Sequence, residues 1–186
     1  KRLDASSSNP NIGSPSRDWL DFAFDPGEDE QPPVNDLCTN ARALSLNTNC
    51  QEISGHTVYA TQNLPPSFCG GFSSTAANDV YYSFTANTPT DSFIVQGLGG
   101  FDPVLQIYSG TCGALTNVRC SYTPSADNLE KISPGNLVPG QTYFLRVYGK
   151  DGADGSFTIC GKSSSLLAPP NDDCINALVL PLSTVN

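Results

Sequence analysis

Between Ala41 and Cys160 the chain sets short apolar runs between Gly, Pro, Asn and Asp punctuation, and nowhere does a helical period persist. The strongest runs are residues 80–84, 93–95, 104–108, 143–148 and 157–159, rich in Val, Ile, Tyr and Phe. Weaker ones are 43–46, 57–60, 118–121 and 129–132. Turn chemistry separates them: Gly99-Gly100, Pro134-Gly135, Pro139-Gly140 and Asp151-Gly152 fall between runs. Short strands at this spacing predict an all-β chain folded as a two-sheet sandwich of about eight or nine strands.

Successive side chains of a strand point to opposite faces, so alternation assigns a core. Tyr143, Leu145 and Val147 share one face of their run. By the same rule Val80, Tyr82, Phe84, Phe93, Val95, Leu105, Ile107, Phe157 and Ile159 are expected inside. The other faces carry Tyr81, Tyr108, Phe144 and Tyr148, which are expected to form an outer aromatic surface available to a ligand.

The sequence also repeats a phrase. Pro32-Pro33-Val34-Asn35-Asp36-Leu37-Cys38 recurs as Pro169-Pro170-Asn171-Asp172-Asp173-Cys174, with the cysteines 174 − 38 = 136 residues apart. That period is the size of an ordinary domain and too long for a solenoid. Three stretches are therefore expected: an extended arm at 1–31, a β-sandwich module at 32–161, and a linker opening a second, truncated copy at 162–186. Within the arm, residues 19–24 (Trp-Leu-Asp-Phe-Ala-Phe) alternate as a strand that could dock on a neighbour.

Composition narrows the classes of partner. An apolar fraction of 38% supports one core, and a net charge of −9 disfavours nucleic acid and anionic membrane surfaces. No apolar run is long enough to span a bilayer, so membrane insertion is not expected. Seven cysteines beside one histidine, with no Cys-x-x-Cys, read as disulfides formed in an oxidising compartment. An extracellular or periplasmic location follows as the expectation.

Catalytic constellations are thin. His56 alone would have to serve any nucleophilic triad, no Gly-x-Ser-x-Gly elbow is present, and no glycine pair leads into a Lys-Ser/Thr helix. The chain is read as a non-enzyme. Carboxylates remain: calcium takes six to eight oxygens, which loops supply readily from Asp, Asn and backbone carbonyls. The repeated Asn-Asp before the cysteine is the feature that singles out Asn35 and Asp36.

These motifs together carry a family resemblance. The Pro-Pro-x-Asn-Asp-x-Cys phrase, Cys69-Gly70-Gly71, Asn78-Asp79-Val80-Tyr81-Tyr82-Ser83-Phe84, residues 101–113 and Gly155-Ser156-Phe157-Thr158-Ile159-Cys160 resemble cysteine-bearing repeats of large secreted Bacteroidetes-type surface proteins. They look like relatives of the bacterial pre-peptidase C-terminal domain, which includes collagen-binding domains of clostridial collagenases. The resemblance covers roughly residues 32–161. It implies a jelly-roll-like antiparallel β-sandwich with calcium clamped between the N-terminal linker and the loop before the aromatic strand. Carried onto this chain, it nominates Glu28, Glu30, Asn35, Asp36 and Asp79 as metal ligands, with Pro32-Pro33 lengthening the gap between the acidic cluster and Asn35. Asp102 is read as a turn-former.

Six cysteines allow fifteen pairings. Cys112 and Cys120 flank a seven-residue stretch as across a hairpin and are expected to pair. Cys38 and Cys160 open and close the module and are expected to join, because domain termini often lie close, leaving Cys50 for Cys69. Cys174 then belongs to the next copy.

Three functions fit. The first is a calcium-stabilised adhesion module that binds polysaccharide or an extracellular protein. The second is a structural subunit or stalk repeat of an extracellular filament, joined to neighbouring copies by strand addition. The third is an accessory domain of a secreted hydrolase.

Overall fold

The computed structural model of the chain describes residues 31–65, 68–69, 72–73, 78–124 and 128–163. The chain divides into residues 1–31 and 32–186, and the fold below is that of the second unit. The arm with its 19–24 segment, Glu28, Glu30, Cys174 and the second copy of the repeat lie outside the described residues.

Twelve strands run through the described residues: β1 (Arg42–Ala43), β2 (Leu46–Asn47), β3 (Ile53–His56), β4 (Phe68–Cys69), β5 (Phe72–Ser73), β6 (Asp79–Thr85), β7 (Ser92–Gly97), β8 (Pro103–Thr111), β9 (Ala114–Ser121), β10 (Leu129–Ile132), β11 (Thr142–Gly149) and β12 (Ser156–Lys162). One sheet has the order β1-β6-β11-β8-β9 and the other β10-β7-β12-β2, with β3 also on β12; β4 and β5 form a small ribbon. The long neighbours pair antiparallel, as expected. The two-residue strands β1 and β2 pair parallel with β6 and β12 respectively. These short parallel pairs arise because the chain crosses between the sheets at Leu44-Ser45. Leu44 donates its backbone N–H to Ser83 in one sheet, and two residues later Leu46 lies opposite Gly161 in the other.

All five strong runs are strands, and the core assigned by alternation is buried in full, from Val80 and Leu145 at 0% exposure to Tyr143 at 4%. Both sheets contribute to one apolar cluster, each buried large side chain stabilising the fold by roughly 1.5–3 kcal/mol. Phe84 packs on Phe93 of the opposite sheet at 4.3 Å between ring centroids and on Tyr143 at 5.6 Å. Gly55 is required by this packing, since a Cβ there would lie 2.3 Å from the Tyr82 hydroxyl oxygen.

Two weak runs are placed differently. Residues 43–46 do not form one strand but the crossing itself, and residues 57–60 form a turn closed by Ala60 N–H donating to Thr57 O. The strand lies just before, at β3, where Gly55 breaks the apolar run but lets the backbone approach the core.

The outer face of the β6-β11-β8 sheet departs most from expectation. Tyr81 and Tyr148 are 0% exposed, Tyr108 is buried and Phe144 is half-buried, so these four do not form an outer aromatic surface. The stretch from Thr61 to Pro65 lies over this face: Arg146 on it donates to the carbonyls of Leu64 and Pro65. Cys69, Val104, Tyr122 and Tyr148 form a second apolar cluster there. Alternation tells which side of a sheet a residue faces, but not what the rest of the chain lays over that side.

The disulfides also differ from expectation. Cys38 pairs with Cys112, Cys50 with Cys160 and Cys69 with Cys120. Thr111 and Ala114 face each other, so the hairpin turns on Cys112-Gly113 alone, and Cys120 lies opposite Gln106. Cys112 is thus 112 − 106 = 6 residues beyond the level of Cys120 along the hairpin, roughly 20 Å at strand rise, too far to bond. Cys38 sits against β6, whereas Cys160 sits in the other sheet beside β2, where Cys50 reaches it.

Candidate functional site

Because the chain leaves β1 for the other sheet after two residues, no strand among the described residues pairs along the outer edge of Phe84 and Thr85 at the end of β6. A groove of about 470 Å³ opens there, bounded by the crossing segment on one side and by β6 and the start of β11 on the other. Ser45, Ser83, Thr85, Asn87 and Thr142 line it with hydroxyl and amide groups, above a floor of Leu44 and Phe84. Ser45, Thr85, Asn87 and Thr142 are exposed, and Ser83 is half-buried. The same crossing has a smaller hollow of about 150 Å³ behind it, where Arg42, Asn47 and Gln51 add polar groups. Among the described residues no charged side chain lines the main groove, so they present donors and acceptors without a formal charge.

At the module entrance the nominated residues Asn35, Asp36 and Asp79 do come together, around the loop that follows the 57–60 turn. Asp36 accepts from both the backbone N–H and the hydroxyl of Thr61. Asn35 donates to the carbonyl of Tyr81 at 2.9 Å, and the Tyr81 N–H returns to Asn35 O. Asp79 accepts from the backbone N–H groups of Asn63 and Leu64 and from the Asn63 amide at 3.1 Å. Its main partner is Arg146, with Nη2 2.6 Å and Nε 2.7 Å from Oδ2.

Arg146 was legible in the sequence only as one polar position among the aromatics of its strand. It is 1% exposed, and its remaining N–H groups donate to Leu64 O at 2.8 Å, Pro65 O at 3.2 Å and Gln106 Oε1 at 3.1 Å. Its guanidinium also stacks 4.5 Å from the centroid of Tyr148. Burial works against the charge, but Asp79, with Tyr108 and Tyr81, outweighs it and holds the Arg146 pKa above its ordinary value. Burial and the Asp79 carboxylate push the Tyr81 hydroxyl upward. Burial also pushes Tyr82 to about 12, with Asn35 opposing.

The other candidates have structural partners. Phe144 and Tyr108 face each other across β11 and β8, and Tyr108 donates to Gln106 Oε1 at 2.6 Å. Tyr81 walls a hollow of about 280 Å³ beneath the Cys38–Cys112 bridge, alongside Leu37, Leu64 and Leu115. Asp102 holds a loop, its carbonyl accepting from Lys150 N–H, and its carboxyl pKa is raised mainly by burial. His56 ends β3 on the surface. Among the described residues no three His, Cys, Asp or Glu side chains cluster as a metal site.

The groove residues were not found from sequence. Ser, Thr and Asn scattered through loops and strand ends look like ordinary surface, and only the broken 43–46 run marks the crossing that gathers them.

No curated protein matches the chain. Among solved structures, the pre-peptidase C-terminal domain of a collagenase from Bacillus anthracis is similar at 18% identity, with 66% of this chain and 94% of that one covered and a TM-score of 0.44. PliG of Aeromonas hydrophila, a periplasmic inhibitor of g-type lysozyme, is similar at 11% identity over 65% of this chain and 95% of its own, with a TM-score of 0.37. Residues 34–159 match the family described as galactose binding domain-like and associated with T9SS, a Bacteroidetes secretion route. The chain belongs to this family, as a disulfide-stapled extracellular β-sandwich module.

Proposed function

We propose that this module is a non-catalytic binding domain of a cell-surface protein, and that it takes a neutral, hydroxyl-rich ligand, a polysaccharide segment, in the groove beside β1 and β6. The observation that carries this reading is the row Ser45, Ser83, Thr85, Asn87 and Thr142 along an uncharged groove of about 470 Å³. Hydroxyl and amide side chains exchange hydrogen bonds with sugar hydroxyls in both directions, and a net charge of −9 disfavours acidic glycans. The family's galactose-binding-like description agrees with a sugar ligand. The test is a panel of neutral and acidic oligosaccharides measured by calorimetry, alongside extracellular matrix proteins. Neutral glycan binding weakened in Asn87→Ala and in Thr142→Ala supports the reading. Binding confined to a protein ligand, or to glycans but unchanged in both variants, rejects it.

A second reading, a filament or stalk repeat joined by strand addition, is favoured by β9. It ends its sheet, runs for eight residues and leaves half of them exposed. An open edge is a template for an incoming strand. Fibres seen by electron microscopy in the wild type and lost when Pro replaces Thr116 would move the weight to this reading.

A further inference from the structure

Resemblance to the pre-peptidase C-terminal domains implies a calcium ion at the entrance, held in part by Asn35, Asp36 and Asp79. The residues as placed do not fit one. Both Asp79 oxygens are taken by five donors from Asn63, Leu64 and Arg146, and both Asp36 oxygens by Thr61. A divalent cation at Asp79 would also face a guanidinium 2.6 Å from the same carboxylate.

The same loop contains two oxygen-lined positions, each filled by nitrogen. Arg146 directs its Nε and both Nη atoms at four oxygens: Asp79 Oδ2, Leu64 O, Pro65 O and Gln106 Oε1. Asn63 Nδ2 lies within 2.8 to 3.3 Å of four others: Asp36 O, Thr61 O, Thr61 Oγ1 and Asp79 Oδ1. Carbonyl, hydroxyl and carboxylate oxygens converging from two loops are the donor set that hard cations take. Here a guanidinium supplies the positive charge and an amide supplies the donors.

We infer that Arg146 and Asn63 stand in for the ion, so that the entrance of this module is locked by the chain's own side chains and is indifferent to calcium. The Asp36 and Asp79 carboxylates keep the task of tying the 61–65 loop to the entrance and to β6. Arg146 meets the charge of Asp79 from β11, a fixed neighbour in the sheet, instead of from solvent.

The test exchanges donor for acceptor. Thermal unfolding of the full chain is followed in EDTA and in millimolar CaCl2, with MgCl2 as control, for the wild type, Asn63→Asp and Arg146→Gln. The wild type should give the same Tm in all three. Asn63→Asp replaces the nitrogen with a fifth, negatively charged oxygen among the four, and its Tm should fall in EDTA and rise again by roughly 5 °C in calcium. Arg146→Gln should gain a calcium response as well. A calcium-specific rise in the wild type overturns the inference. So does an Asn63→Asp variant that folds, by circular dichroism, yet shows no calcium response alongside an equally unresponsive Arg146→Gln.

Discussion

Asp79 and Arg146 meet diagonally across β6 and β11, with Nη2 2.6 Å from Oδ2 and the two side chains sealed at 0% and 1% exposure. The pair lies on the outer face of its sheet, where the sequence pattern suggested a surface. The segment reaching from Thr61 over that face makes it interior, and the ion pair anchors the segment through Asn63, Leu64 and Pro65.

Breaking this pair from one side strands a buried charge. Asp79→Asn and Arg146→Met should each cost about 3–5 kcal/mol in urea unfolding. The double change Asp79→Asn with Arg146→Met should recover part of that loss, because no charge is then left alone. Single and double losses that simply add would show that the two residues act independently.

Non-reducing peptide mapping should recover Cys38–Cys112, Cys50–Cys160 and Cys69–Cys120. The Cys50–Cys160 bridge spans 110 residues, and replacing both cysteines by serine should cost about 4–5 kcal/mol through the freer unfolded chain. A Cys112–Cys120 peptide in the map would contradict the hairpin geometry.

Glu130 is 0% exposed and accepts from Ser121 Oγ at 2.6 Å, joining β10 to β9 at the edges of the two sheets. Burial is the main cause of a pKa above its ordinary 4.5, only partly offset by the Ser121 and Thr123 hydrogen bonds. The sign is the reverse of a salt-bridged acid. The folded state holds the proton more tightly than the unfolded one, so ionised Glu130 destabilises the fold at neutral pH. That cost fades as pH falls through the raised folded pKa and is gone below the unfolded value. Relative to Glu130→Gln, the wild type should therefore be weaker at pH 7 and draw level toward pH 4. Melting curves across this range check it; a gap that widens on acidification would reverse the assignment.

In the groove, Asn87→Ala and Thr142→Ala should each weaken a bound neutral oligosaccharide by about 3- to 10-fold, the worth of one uncharged hydrogen bond. Both positions are exposed, so Tm should stay within about 1 °C of wild type. A large drop in Tm would mean the side chains serve the fold instead.

Much of the sandwich was legible along the chain. Runs such as 143–148 carry β-branched and aromatic residues at period two, and both the strand and its inward face follow from that local pattern, which Leu145 and Val147 obey. The 57–60 run was misplaced because Gly55 masks β3 locally while serving a contact with Tyr82 and Phe157 from distant strands. The repeated phrase singled out Asn35 and Asp36, and the family resemblance grouped them with Asp79 as expected metal ligands. Their partners Thr61, Asn63 and Arg146 were not singled out, since nothing in the local sequence distinguishes them from other loop and strand polar residues.

The sequence by itself determined the all-β class, the five strongest strands, their inward faces and the oxidised cysteines, because each depends on neighbours within a few residues or on composition. Only the tertiary structure decided which cysteine meets which, what covers the tyrosines of the outer face, and that Arg146 meets Asp79 at a separation of 67 residues. The groove belongs with these, since it exists only where the chain changes sheets at Leu44-Ser45 and brings residues 45, 85 and 142 to one edge. Such contacts are set by how two twisted sheets and a covering loop close in space, and side-chain period carries no record of that closure.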